Sequence, residues 1–314
     1  MGDSLKIVFF GTPEFAVPAL KALLDSEHEI IAVVTQPDRQ SGRGRHITPC
    51  PVKTEAQKAG LRILQPLKIR EADFIKELKA LSPALIVVVA YGQILPAAIL
   101  DLPQYGCVNI HASLLPRYRG AAPINWAIIN GEKKTGITTM LMDEGMDTGP
   151  ALLRAETDIT PDDTAGSLSE RLAAAGAGLL LPTIRGLVAG SLKPMPQQGE
   201  ATYAPILKKS DGFIEWSRPA REISDFIRGM NPWPCAYGFI GEERFNILRA
   251  AAVDGKGEAG VIDRATKDEL HVCAGSGKVS VLEIQASGKP VMQVKAFLQG
   301  RRLSGGMMFD KRKR

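Results

Sequence analysis

Apolar and polar positions in the first half of the chain alternate between two periods. Residues 6–10 (KIVFF) form an almost continuous apolar run ending at Gly11, and 30–35 (IIAVVT) repeat the habit, so both predict buried strands. Between them, 17–24 (VPALKALL) follow helical spacing, and Pro18 suits a first turn, where no N–H bond is lost. An amphipathic helix is predicted over 71–81, with Phe74, Ile75, Leu78 and Leu81 on its apolar stripe. Residues 85–90 (LIVVVA) are apolar throughout, as a central parallel strand covered on both faces requires. Further strands are predicted at 108–111, 137–142 and 151–156. This alternation predicts an α/β fold with a mostly parallel, Rossmann-like sheet.

The pattern then changes. Residues 164–190 read as mostly helical, broken or kinked at Gly176, Gly178 and Pro182. Residues 191–205 carry three prolines and few apolar side chains, the composition of a linker. A helix is predicted over 220–228, ended by Asn231-Pro232-Trp233-Pro234. Short strands follow between glycine-containing turns, at 236–240, 245–249, 260–262, 270–274 and 278–284, predicting a small antiparallel barrel. The expected organisation is a first domain over 1–190, a linker over 191–207 and a second domain over 208–314.

Composition narrows the class. A chain of 314 residues, 45% hydrophobic and 23% charged, is an ordinary globular protein of about two domains. Cys50, Cys107, Cys235 and Cys273 lie far apart with no CxxC pair, which argues against a disulfide framework or a zinc knuckle and fits a reducing compartment. With no run of 18 apolar residues and no basic leader, neither membrane association nor export is expected; a cytoplasmic location is. The net charge of +5 is unevenly placed: residues 1–207 carry −1 and 208–314 carry +6. That asymmetry fits a polyanionic partner or, equally, a solvated basic tail, since four of the charges are Lys311-Arg-Lys-Arg314.

The candidate chemistry is local. Gly11-Thr12-Pro13 lacks the dinucleotide-binding glycines, and there is no GxxxxGK[ST], HExxH or GxSxG. Asn109 and His111, two apart in a predicted strand, share a face just before a Pro/Gly-rich loop, where open α/β sheets place ligands. A histidine there is as readily a structural hydrogen bonder as a functional group. The stretch Asp143-Glu-Gly-Met-Asp147-Thr-Gly149 offers acids on a sharply bending backbone, and by itself reads as a solvated turn.

Taken together, Asn109-x-His111, SLLPRYRGAAP (113–123) and Asp147 in MDTGP resemble the 10-formyltetrahydrofolate-dependent formyltransferases. FFGTPEF, VVVAYGQILP (87–96), NPWP (231–234) and the loop running from Gln36 to Lys53 narrow the resemblance to members that act on the α-amino group of methionyl initiator tRNA. The resemblance extends from Lys6 to about Arg302. It implies an OB-like barrel after the Rossmann-like domain and a tetrahedral intermediate stabilised by donors from Asn109 and His111, with Asp147 orienting the imidazole. It implies 10-formyltetrahydrofolate as formyl donor, held by Ser113, Leu114, Leu115, Pro116, Ile94 and Asp143, and no metal. It implies tRNA contacts from Arg39, Arg43, Arg45, Lys208 and Lys209, with Arg244, Arg249, Lys295, Arg301 and Arg302 as further candidates. A monomer is expected. Two alternatives stay open: a formyltransferase for a small amine such as a nucleotide sugar or glycinamide ribonucleotide, and a non-catalytic RNA-binding protein on the same fold.

Overall fold

The computed structural model describes residues 4–41, 46–301 and 303–310. The elements in chain order are β1 (Lys6–Gly11), α1 (Val17–Leu24), β2 (Glu29–Val34), β3 (Arg39–Ser41), β4 (His46–Thr48), α2 (Pro51–Lys58), β5 (Ile63–Leu64), α3 (Ala72–Ala80), β6 (Leu85–Val89), α4 (Ala97–Leu100), β7 (Cys107–His111), β8 (Arg119–Gly120), α5 (Pro123–Ile129), β9 (Lys134–Leu141), β10 (Ala151–Asp158) and α6 (Ala165–Val188). They continue with β11 (Tyr203–Ala204), α7 (Ala220–Gly229), β12 (Ala236–Ile240), β13 (Glu243–Val253), β14 (Ile262–Ala265), β15 (Leu270–Cys273), β16 (Lys278–Ala286), β17 (Met292–Gln293) and α8 (Val294–Gln299). The chain forms two units, one of Met1–Pro123, Lys134–Asp158 and Ser169–Ala204, the other of Ile124–Lys133, Ile159–Leu168 and Pro205–Arg314.

The first unit is built on a seven-stranded sheet of order β10-β9-β7-β6-β1-β2-β5. The run from β5 to β7 is parallel, and β9 and β10 are antiparallel additions. Every residue of β6 and β7 is buried, which explains the unbroken apolar run at 85–89. The order reverses on the two sides of β1, so the switch point opens at the C-terminal ends of β1 and β6. Helix α3 buries Phe74 and Leu78 in a core with Val8, Phe10, Ile86 and Val88, as its stripe predicts.

Two features differ from expectation. Helix α6 runs through Gly176, Gly178 and Pro182 without a break. A proline forfeits one backbone bond, whereas α6 seats Leu172, Ala173, Leu180 and Ile184 in the interior, each at most 5% exposed. Gly176 is needed for approach: a Cβ there would lie 2.8 Å from Ile110 Cγ2 in β7. Residues 191–204, in the stretch read as a linker, are bound into the first unit. Met195 and Ala151 exchange backbone bonds at 2.8 and 2.9 Å, and β11 runs parallel to β8.

The second unit carries the expected small barrel as a curled antiparallel sheet of order β12-β13-β16-β15-β14, with β17 on β16. Residues 306–310 lie between its edges. Ile262 N donates to Met307 O (2.7 Å) and Phe309 N to Gly260 O (2.8 Å), while Asp310 N donates to Phe239 O (2.8 Å). Phe309 is fully buried, its ring centroid 5.0 Å from Trp216 and 6.2 Å from Phe245. Helix α7 buries Ala220, Ile223 and Ile227 at helical spacing, and its Ser224 Oγ donates to Ala250 O in β13.

Candidate active site

Strand β7 places Asn109 and His111 on one face at its C-terminal end, 9% and 6% exposed. His111 Nε2 lies 2.9 Å from Tyr118 O. A carbonyl only accepts, so Nε2 carries the proton and Nδ1 faces Asp147, 3.5 Å from Oδ2. Asn109 Nδ2 lies 3.4 Å from Asp147 Oδ1. The amide, the imidazole and the carboxylate expected from the sequence therefore meet around one space. The 3.4 Å contact is at the long limit of a hydrogen bond, so the Asn109 amide is only weakly committed to its partner.

Asp147 is held from its far side. Gly120 N donates to its Oδ2 at 2.8 Å. Its φ is +54°, uncommon for a residue with a side chain. Gln197, in the stretch read as a linker, donates from Nε2 to the carbonyls of Asp147 and Gly149, both at 2.8 Å. Arg119 donates to Gln197 Oε1 from Nη2 (2.7 Å) and Nε (3.2 Å). Nothing in the pattern around QQGEA marks Gln197 as special; only the fold brings it here.

The loop after β7 is built from within. Ser113 Oγ donates to Arg117 O at 2.6 Å. Thr138 Oγ1, buried in β9, donates to Ser113 O (2.7 Å) and accepts from Leu115 N (3.1 Å). Of the residues expected to hold folate, Ser113, Leu115 and Pro116 are thus buried within the loop and Leu114 is half-buried. Ile94 and Asp143 are exposed, and Asp143 Oδ1 accepts from Gly145 N (3.1 Å) and Thr148 Oγ1 (2.6 Å), closing the turn that leads to Asp147. In the sequence Thr138 is one of three threonines in β9, and nothing local separates it from Thr135 or Thr139.

At the switch point, Tyr91 follows Ala90, whose φ is +47°. Its carbonyl accepts from Thr12 Oγ1 (3.3 Å) and Gln36 Nε2 (3.2 Å). Its phenol is buried without a hydrogen-bond partner among the described residues, and burial pushes it up to about 12. Gln36 leads to the β3–β4 hairpin. At the neck of that hairpin Lys53 Nζ donates to Asp38 Oδ2 (2.5 Å) and Gln65 Oε1 (2.7 Å), and Gln65 Nε2 donates to Asp38 Oδ1 (3.0 Å). The Lys53 ammonium, with the Gln65 amide, holds the Asp38 carboxyl below its ordinary value. Arg39 is exposed at the start of β3; Arg43 and Arg45 lie outside the described residues.

Lys208 and Lys209 are exposed in the second unit. Arg249 pairs with Asp162 (3.2 Å), Lys295 with Asp268 (3.1 Å) and Arg301 with Glu243, and Arg244 lies 3.8 Å over the Tyr237 ring. Arg302 lies outside the described residues. No group of three or more His, Cys, Asp and Glu able to hold a metal occurs among the described residues.

Comparison with known proteins puts this geometry in a family. Residues 5–184 match the model of the formyl transferase family, and 206–302 that of the formyl transferase C-terminal domain. A methionyl-tRNA formyltransferase of Thermodesulfovibrio yellowstonii is 51% identical over 301 residues, 96% of this chain and 97% of the relative. The solved methionyl-tRNA formyltransferase from Clostridium thermocellum superposes with a TM-score of 0.55 at 23% identity, covering 81% of this chain and 96% of that one. HypX from Aquifex aeolicus in complex with tetrahydrofolic acid shares the fold, with a TM-score of 0.62 at 14% identity, covering 94% of this chain and 47% of its own. With both parts matched and half its residues shared over nearly its full length, the chain belongs to the methionyl-tRNA formyltransferase family.

Proposed function

We propose that this chain transfers the formyl group of 10-formyltetrahydrofolate to the α-amino group of methionyl initiator tRNA, and that Asn109, His111 and Asp147 carry the chemistry. The observation that carries the reading is the convergence of these three side chains at the end of β7. The folate complex of a protein with the same fold supports the donor, and the family supports the acceptor.

The donor supplies a formyl carbon bound to N10, and the acceptor supplies a free amine. Model α-amino groups titrate near pH ~8, so about a tenth of the nucleophile is already deprotonated at pH 7 and a strong base is not essential. Attack pushes charge onto the formyl oxygen. The Asn109 amide, weakly held by Asp147, turns one N–H to that oxygen. His111 is fixed by its Nε2 bond to Tyr118 O, which leaves Nδ1 as the nitrogen that accepts the proton lost by the amine. Asp147 Oδ2 faces the imidazolium so formed. The same nitrogen returns the proton to N10 as the carbon–nitrogen bond breaks. The net change is one formyl group for one proton, and no oxidant or metal is required. Ser113, Leu114, Leu115, Pro116, Ile94 and Asp143 border the donor. Arg39, Arg43, Arg45, Lys208 and Lys209 meet RNA phosphates and bases. The reading has the protein acting as a cytoplasmic monomer, where charged tRNA and folate are both present.

The test is a transfer assay with 10-formyltetrahydrofolate and, in parallel, methionyl initiator tRNA, methionyl elongator tRNA, glycinamide ribonucleotide and a nucleotide-linked amino sugar. Formylation of the initiator well ahead of all others is expected. Formylation of a small amine alone overturns the acceptor, and no transfer to any acceptor overturns the activity.

A further inference from the structure

Both ends of the Gln197 side chain are fully used. Its two N–H groups go to the carbonyls of Asp147 and Gly149, and its oxygen takes two donors from Arg119. Turning the amide over would set an oxygen against two carbonyls and an NH2 group against a guanidinium, so one orientation is enforced. The residue it grips has a left-handed φ of +54° and receives Gly120 N on its carboxylate. Asp147 is thus fixed twice, through its backbone by Gln197 and through its side chain by Gly120. Among the described contacts, the Gln197 amide is the side-chain group bound to the backbone of this turn on both sides of Thr148.

We propose that Gln197 is a positioning residue for formyl transfer: its amide donors lock the Asp147–Gly149 turn and so hold the carboxylate between Asn109 and His111. The inference rests on the role proposed above for those three residues. Gln197 touches no reacting atom in this account and acts through Asp147 alone. Releasing the turn lets the carboxylate drift from the imidazole, and a misplacement of about 1 Å at a reacting centre costs up to about 100-fold in rate.

The experiment is a double-mutant cycle on the full chain, following kcat and the KM for 10-formyltetrahydrofolate with methionyl initiator tRNA as acceptor. Gln197→Glu keeps an acceptor for Arg119 and loses both donors. Gln197→Met keeps the length and loses both functions. Each is expected to lower kcat by about 10- to 100-fold while the donor KM stays within about twofold. On an Asp147→Asn background the same substitutions are expected to cost less than about threefold more, because two residues acting as one unit do not add. A merely structural role would give equal factors on both backgrounds. Equal factors, an unchanged kcat, or a donor KM rising with the loss of kcat each overturn the proposal. Loss of the fold in both variants, read by circular dichroism, also overturns it, by assigning Gln197 to stability. Inactivity of the unmodified protein toward every acceptor would instead overturn the proposed activity, so the two failures are distinct.

Discussion

Asn109 and His111 both face the Asp147 carboxylate, at 3.4 and 3.5 Å, and substitutions in the three should behave as one. Asn109→Ala is expected to lower kcat by about 100- to 1,000-fold, the usual loss for a donor to developing charge, and His111→Ala and Asp147→Asn by about 100-fold or more, the usual contribution of a positioned base and the carboxylate that supports it. Affinity for folate and tRNA should change little, and combined variants should lose less than the product of the single effects. Steady-state kinetics beside equilibrium binding checks this; His111→Ala with near-normal kcat would refute the mechanism. Asp38 gives a second, independent expectation. Lys53 depresses its carboxyl below the ordinary 3.8, so its contribution to stability is full above that value and fades as the pH falls through the folded value. Urea unfolding between pH 5 and pH 2 should fall less steeply for Asp38→Asn than for the unmodified chain. Asn109 and His111 were legible because a strand's period of two puts them on one face. The place of Asp147 came from resemblance rather than spacing, since 36 residues and two strands separate it from His111. Gln197 was not legible at all, because a tertiary contact made by an ordinary glutamine leaves no local pattern.

Among the elements, continuous apolar runs were the most readable: β1, β2 and β6 fall where the pattern places them because both their faces are covered. Helix α2 leaves no apolar stripe in the sequence because it buries only Val52 and Ala56. The β3–β4 pair has the sequence pattern of a loop, since its three-residue strands have no apolar alternation. The pattern over 164–190 predicts a helix broken or kinked at Gly176, Gly178 and Pro182, because glycine and proline propensities carry no information about the sheet beneath. Gly176 tests that point. Replacing it by Ala returns about 1 kcal/mol of helix propensity, but the new Cβ would lie 2.8 Å from Ile110 Cγ2, on a stiff β-branched side chain in a central strand. Overpacking costs about 1–3 kcal/mol, so the clash wins. Gly176→Ala should lower the urea midpoint and, because Ile110 sits between Asn109 and His111, also lower kcat.

For the whole molecule, charge is the property the sequence announced most directly. The contrast of −1 over 1–207 with +6 over 208–314 predicts that tRNA binding weakens with salt far more steeply than folate binding. Lys208 and Lys209 are exposed, and if they meet phosphates, Lys208→Ala with Lys209→Ala should reduce the slope of log K against log salt by about two. Filter binding across a salt series measures it; an unchanged slope removes both lysines from the interface. The chain's division was less legible. Residues 124–133 and 159–168 lie in the stretch expected to form the first domain yet pack with the second unit, because Asn125 reaches Gly229 O, Trp126 reaches Pro205 O and Arg228 reaches Thr160 O. Segments of only ten residues carry no boundary signal of their own. Their placement bears on how such proteins exchange parts. A crossover near residue 205 that imports a relative's C-terminal portion would leave two native segments facing a foreign barrel. A working chimera therefore needs three matched pieces rather than one, and relatives that diverge at the barrel must diverge in step at 124–133 and 159–168.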